Sequence, residues 1–325
     1  MQKNRRFLQR ALIIASLGAL CSAANAQADF PSKPVRLVVG WTPGGLADIA
    51  SRTVGEQLAQ LWKQTVIVDN RPGASGAIAA DFVARAAPDG YTLLVIMPDH
   101  VILPLVRKLS AKQASDFLPV SQLGIAPLLL MANPGLGVNS IQDLIALAKS
   151  KPGTLTYSTP GAASMHHLTQ SSLNALLDLD MVHVPYKGGA PAMMDAIGGV
   201  VNLTLGSPAQ SLPYVQSGKL KAVGVTLGAR LPMLPDLPTL TETVAPGFTA
   251  GLWVGVLAPA GTPEGLVKRI SQDIRQVMQK PEVRHRLADQ GVEVVASEPA
   301  QFADFMEKES RRWADVVKRA NIQAE

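Results

Sequence analysis

Leu37-Val38-Val39-Gly40-Trp41-Thr42-Pro43-Gly44-Gly45-Leu46 has a counterpart in Leu155-Thr156-Tyr157-Ser158-Thr159-Pro160-Gly161-Ala162-Ala163-Ser164. Each stretch runs from a short strand pattern through Thr-Pro-Gly into a helical pattern. Around the first, residues 35–39, 65–68 and 91–97 read as buried strands, with helices over 46–61 and 76–86 between them. Around the second, strands are expected at 155–158, 181–184, 201–205 and 220–226, with helices at 164–177, 191–197 and 208–216. A further helix opens at Asn139-Ser140, with Asp143 placed for a capping box. Strands alternating with helices in this way mark an α/β protein with parallel sheets.

Two apolar runs, 124–131 and 251–257, flank the second block and suit two strands crossing between lobes. Residues 262–325 then fold back onto the first lobe, their apolar stripe of Phe302, Phe305, Met306, Trp313, Val316 and Val317 serving as core. The expected organisation is lobe I from 27–125 and 252–325, and lobe II from 126–251. Two such lobes enclose a cleft with a two-strand hinge. Ligands of such sheets sit beyond the carboxyl ends of the strands, so the strand-to-helix loops carry the functional information.

Composition narrows the function. The 325 residues carry a formal charge of +5 and one cysteine, with 47% hydrophobic and 17% charged residues. Lys3, Arg5, Arg6 and Arg10 precede an apolar run over 11–20 and an Ala24-Asn25-Ala26 ending. That order reads as a secretory signal peptide over residues 1–26, cleaved after Ala26, because the run is far short of the ~20 residues of a spanning helix. Removing those four of the 30 basic residues leaves 26 against 25 acidic, so the basic surplus offers no support for nucleic-acid binding. Cys21 leaves with the signal, and with it any thiolate nucleophile or cysteine-ligated metal.

In both Thr-Pro-Gly loops, glycine admits a ligand close to the backbone, a hydroxyl can donate, and the helix start presents N–H groups without partners. Each is a seat for an anion, where a helix terminus contributes about 0.3–2 kcal/mol. Gly206-Ser207-Pro208 and Asn70-Arg71-Pro72-Gly73-Ala74-Ser75-Gly76 occupy similar positions. Taken singly, each loop is ordinary turn chemistry; together they favour binding. No phosphate loop, dinucleotide fingerprint, nucleophile elbow or zinc-protease motif occurs, and no cofactor is expected. His166 and His167 are adjacent, about 100° apart on a helix, which is poor geometry for sharing a metal. Ser164 has no evident oriented acid for catalysis, and Asp48 suits a loop cap better than a base.

The ordered set Thr42-Pro43-Gly44-Gly45-Leu46-Ala47-Asp48, Asn70 through Gly76, Pro88-Asp89-Gly90-Tyr91-Thr92, Val184-Pro185-Tyr186-Lys187-Gly188, Ser217-Gly218-Lys219-Leu220-Lys221 and Ala258-Pro259-Ala260-Gly261-Thr262-Pro263 resembles the Bug family. These are solute-binding receptors of bacterial tripartite tricarboxylate transporters. The resemblance implies a non-enzymatic, two-lobed periplasmic binding protein of type II. Such a receptor acts as a monomer, capturing a small carboxylate and delivering it to membrane permease subunits. Carried over by position, it places ligand-binding residues at Trp41, Thr42, Gly44, Gly45, Ala47 and Ser75 in lobe I, and at Thr159, Gly161, Ala163, Ser164, Met165 and Ser207 in lobe II. Two departures matter: Ala163 stands where the family often has glycine, and Gly206-Ser207 where many relatives have Asp-Asn. Loss of that acid removes a partner for an amine and opens space, so the expected ligand is a dicarboxylate without an amino group, with an aromatic one able to lie against Trp41. A periplasmic hydrolase or lyase in the same cleft, or a sensor feeding a membrane signalling protein, is the alternative.

Overall fold

The computed structural model describes residues 30–106, 116–162 and 164–319. The expected signal peptide and Ala163 lie outside the described residues. The first strand, β1 (Val35–Val39), is β-branched and almost wholly buried, as a strand covered on both faces must be. It runs through residues 40–45 into α1 (Leu46–Trp62), which buries Leu46, Ala50, Val54 and Leu58 at helical spacing. β2 (Val66–Asn70), α2 (Ala77–Ala84), β3 (Thr92–Ile96) and α3 (Asp99–Val106) follow. β1 pairs in parallel with β2 on one side and with β3 on the other.

The second block repeats the arrangement. α4 (Ile141–Ser150) opens on the capping box of Ser140 and Asp143, followed by β6 (Thr156–Thr159), α5 (Met165–Leu177), β7 (Val182–Pro185), α6 (Gly189–Ile197), β8 (Leu203–Gly206), α7 (Pro208–Gln216), β9 (Lys221–Val225) and the short α8 (Leu240–Thr243). β6 pairs in parallel with β7 and with β8. The orders β2-β1-β3 and β7-β6-β8 are therefore equivalent, and each central strand is a topological switch point.

The apolar run 124–131 is two strands rather than one. β4 (Phe117–Pro127) belongs to the first sheet and β5 (Leu129–Ala132) to the second, with the break at Leu128. The return strand, β10 (Gly251–Pro259), pairs antiparallel with both β4 and β3. The sheets are consequently mixed: parallel where βα units succeed one another, antiparallel at the crossing strands. Their orders are β11-β4-β10-β3-β1-β2, with β11 (Glu293–Val294) at the edge, and β7-β6-β8-β5-β9.

Register fixes how the two sheets meet. Pro127 pairs with Gly251, beyond the point where Ile96 ends β3 opposite Gly255. Leu129 pairs with Gly206, the last residue of β8, and with Val225, the last of β9. Leu128 thus joins the carboxyl ends of both sheets, and the loops after β1, β3, β6 and β8 all emerge on the crossing side.

Side chains alternate across the sheets as the pleat requires. Leu37, Val39, Leu93 and Val95 share a core with α1 and with α9 (Glu264–Met278), while Val38, Leu94 and Ile96 pack with α2 and Phe302. α10 (Pro281–Ala288) also lies on α1. Phe302 belongs to the last helix, α11 (Pro299–Arg319), and its ring fills the space beside Gly255, where a Cβ would stand 2.1 Å from Cζ. α11 packs on β4 and α3 of the first lobe, and also on α5 of the second. The sequence had placed this helix on the first lobe alone; its length carries it across both.

Candidate ligand-binding site

The loop after β1 is held by a closed hydrogen-bond circuit. The Gly44 amide donates to Asp48 Oδ2 at 2.9 Å, and Arg52 Nε donates to the same oxygen at 3.0 Å. Arg52 also reaches Asn70 Oδ1 at 3.0 Å, and Asn70 Nδ2 donates to the Trp41 carbonyl at 3.1 Å. Burial of Asp48 acts to raise its pKa, but hydrogen bonds from Arg52, the Gly44 amide and Asn70 outweigh it and hold the carboxyl below the usual range. Asp48 is thus the loop cap its position suggested. Arg52, the cation nearest this loop's circuit, is committed to Asp48 and Asn70.

The loop after β2 crosses this one closely. Gly40 approaches Gly76 so tightly that a Cβ on Gly40 would lie 2.7 Å from the Gly76 Cα, and Trp41 rests its ring edge on Gly76. Ala74 and Ser75 both hold positive φ, +47° and +53°, between Gly73 and Gly76. Such strain in non-glycine residues persists only where surroundings impose it. Trp41, Ser75, Gly76 and His100 line a cavity of about 10 Å³, room for one water and not for a ligand. Thr42, Gly44 and Ser75 are exposed at the carboxyl edge, Trp41 and Gly45 half-buried, and Ala47 buried in the first turn of α1. Gly45 is the helix cap and makes no side-chain bond, so the helix itself supplies no acceptor for the Leu46 and Ala47 amides.

In the second lobe the corresponding loop is tied internally. Thr159 Oγ1 donates to the Gly161 carbonyl at 3.0 Å and lies 2.7 Å from Nε2 of His183. Ser164 caps α5 by accepting from the His167 amide at 3.3 Å, and its own amide donates to the Gly161 carbonyl. The Met165 and His166 amides remain as the first-turn donors. The hydroxyls of Thr159 and Ser164 shape the loop that presents these amides. Ser207 caps α7 on the strand next to β6; its Oγ is buried and has no partner among the described residues. Pro208 beside it meets Gly291 of the first lobe, where a Cβ would stand 2.5 Å from the proline ring.

The imidazoles packed near this loop are neutral. His183 is stacked on His167 with centroids 3.7 Å apart and 10° between planes, and on Tyr157 at 5.1 Å. Burial, and for His183 the neighbouring His167, pushes both imidazoles down to about 4; burial does the same for His166. Arg52 and the histidines thus supply no free charge to a ligand, and the helix-start amides present partial positive charge at both loops. Among the described residues no cluster of three or more potential metal ligands occurs.

Sequence reasoning missed the Arg52–Asp48 pair, the Asn70 link to Arg52 and Trp41, and the Tyr157-His167-His183 stack; the last two join residues distant along the chain. It also missed Asp99 at the carboxyl end of β3, whose carboxyl is pushed up to about 6 by burial.

Residues 50–322 match the family described as tripartite tricarboxylate transporter family receptor. The chain belongs to that family. Among curated relatives of this receptor is Protein BugT of Bordetella pertussis, 34% identical, with 98% of each chain covered. R. palustris Rpa4515, solved with adipate, shares 32% identity and a TM-score of 0.84, over 91% of the receptor and 100% of that chain. MatC from Rhodopseudomonas palustris, solved with malate, shares 33% identity and a TM-score of 0.78, over 89% and 100%. The family assignment makes the chain a solute-binding receptor rather than an enzyme. Consistently, Ser164 is occupied as a helix cap.

Proposed function

We propose that this receptor is exported to the periplasm after cleavage at Ala26, captures a small dicarboxylate lacking an amino group, and delivers it to the membrane subunits of a tripartite tricarboxylate-type transporter. Lobe I comprises 27–125 and 252–325, and lobe II 126–251. The ligand lies between Trp41, Thr42, Gly44, Gly45, Ala47 and Ser75 on one side and Thr159, Gly161, Ala163, Ser164, Met165 and Ser207 on the other.

One observation carries the reading: both sheets present, at equivalent switch points and on the same side, a Thr-Pro-Gly loop whose helix-start amides have no acceptor among the described residues. Two amide seats suit a ligand with a carboxylate at each end. The adipate and malate of the solved neighbours are both of that class. The Gly206-Ser207 end of β8 places no acid there to receive an amine.

A thermal-shift panel of carboxylates tests the reading. A ligand at 100 times its Kd adds about 2.7 kcal/mol, and a chain of this size moves by about 2–4 °C per kcal/mol. Succinate, malate, adipate and phthalate are expected to include at least one strong stabiliser, while aspartate and glutamate leave Tm in place. A panel with no shift overturns the carboxylate assignment, and a strong aspartate shift overturns the amine exclusion. Growth on the identified solute after separate deletion of receptor and permease tests delivery. Periplasmic protein beginning at Gln27 is the expected mass-spectrometric result for export.

A further inference from the structure

We infer that His183 is a positioning residue for the ligand: its Nε2–H donates to Thr159 Oγ1 and thereby holds the Thr159–Gly161 turn, and with it the loop that presents the Met165 and His166 amides, in the shape that receives a carboxylate. This rests on the binding reading above for the role of the loop, but its geometry stands without it.

Thr159 Oγ1 has one proton and two close polar neighbours, the Gly161 carbonyl at 3.0 Å and His183 Nε2 at 2.7 Å. A carbonyl cannot donate, so the hydroxyl proton belongs on that side, and the imidazole must supply the second proton. His183 is therefore the Nε2–H tautomer. The Gly161 amide closes the turn on the same oxygen at 3.4 Å, completing a hydroxyl-centred turn.

Strand register explains why the ring is there. Tyr157 pairs with His183 across β6 and β7, and Thr159 with Pro185, so Tyr157, Thr159 and His183 stand on one face. α5 covers that face and brings His167 onto the ring. Stacked on His167 and packed against Tyr157 from a second direction, His183 has little freedom to turn its Nε2 edge away from Thr159. Ser158 points to the opposite face, where its hydroxyl donates to the Ala192 carbonyl. His183 stays uncharged at neutral pH because burial, then His167, pushes it down to about 4.

The test compares His183→Gln, whose amide can donate toward Oγ1, with His183→Leu, which cannot, alongside Thr159→Val and the Thr159→Val/His183→Leu double variant. Adipate is the probe, and Tm confirms that each variant is folded. Expected are an Nε2–H tautomer in 15N-histidine spectra and adipate binding about tenfold or more weaker in His183→Leu. Binding within about threefold of the parent is expected in His183→Gln, with a double variant no weaker than Thr159→Val alone. A Nδ1–H tautomer, or unchanged binding by a folded His183→Leu, overturns the inference. If the parent does not bind adipate, the choice of ligand fails separately. The tautomer and the Gly161 amide resonance, displaced in His183→Leu and restored in His183→Gln, still decide the role of His183.

Discussion

Leu128 and Thr226 meet where the chain passes between lobes: the Leu128 amide donates to Thr226 Oγ1 at 2.8 Å, and the Thr226 amide donates back to the Leu128 carbonyl at 3.1 Å. The same hydroxyl donates to the Ala250 carbonyl at 2.6 Å, and the Ala250 amide donates to the Thr226 carbonyl. One buried threonine therefore stitches the outgoing crossing to the returning one.

Thr226→Val keeps the shape but leaves the Leu128 amide and the Ala250 carbonyl without this partner. An unmet buried polar group costs about 1–3 kcal/mol, so a loss of about 2–4 kcal/mol is expected. Urea unfolding measures it, with Thr226→Ser close to the parent. Equal midpoints for valine and threonine would show that the stitch contributes nothing to stability.

Gly255→Ala drives a methyl into the Phe302 ring, whose Cζ stands 2.1 Å from the ideal Cβ position. A destabilisation of about 1–3 kcal/mol or more is expected, with partial recovery in Gly255→Ala/Phe302→Leu. The double variant distinguishes crowding at this contact from a general loss of stability; additive losses would argue against it.

Acid is expected to destabilise the receptor between about pH 6.5 and 4. His100, His166, His167 and His183 are held near 4 when folded, against an ordinary 6.5, so the unfolded chain takes up protons first. Their contribution is complete above pH 6.5 and is lost as pH falls toward 4, on the order of 1 kcal/mol each. Asp99, raised to about 6, acts in the opposite sense, because its folded form keeps a proton that the unfolded form gives up. Four groups outweigh one. Denaturant unfolding at pH 7 and pH 5 checks the sign, and equal or greater stability at pH 5 contradicts it.

Gly161→Ala separates folding from binding. Gly161 holds φ at +154°, while a Cβ there would meet nothing closer than the Tyr186 carbonyl at 3.6 Å. The cost to stability is expected to be about 1 kcal/mol, from backbone strain alone. The loop shape changes with it, so the Tm gain from the best carboxylate should largely vanish. A full ligand shift in this variant would remove the loop from the site.

The strand-to-helix units were legible because their information is local. The β-branched run of β1, the capping box of Ser140 and Asp143, and the proline opening α7 each announce themselves within a few residues. The split at Leu128 was overlooked although Pro127 marks it, because residues 124–131 contain no polar residue and read as one apolar run. α3 was hidden by Pro104 in its interior. At the site, the loops were visible from glycine, proline and hydroxyl spacing. The work of the hydroxyls was not, because His183 reaches Thr159 across 24 positions of sequence, and only the pairing of β6 with β7 brings them together.

The matched orders β2-β1-β3 and β7-β6-β8 have a kinetic corollary. At the proposed site, a ligand bearing the same group at both ends would find a comparable seat whichever end leads, so two approach orientations would be productive instead of one. An unsymmetrical ligand forfeits that degeneracy. Its preferred orientation is set by what differs between the halves: an indole resting on Gly76 on one side, a stacked imidazole pair behind the loop on the other.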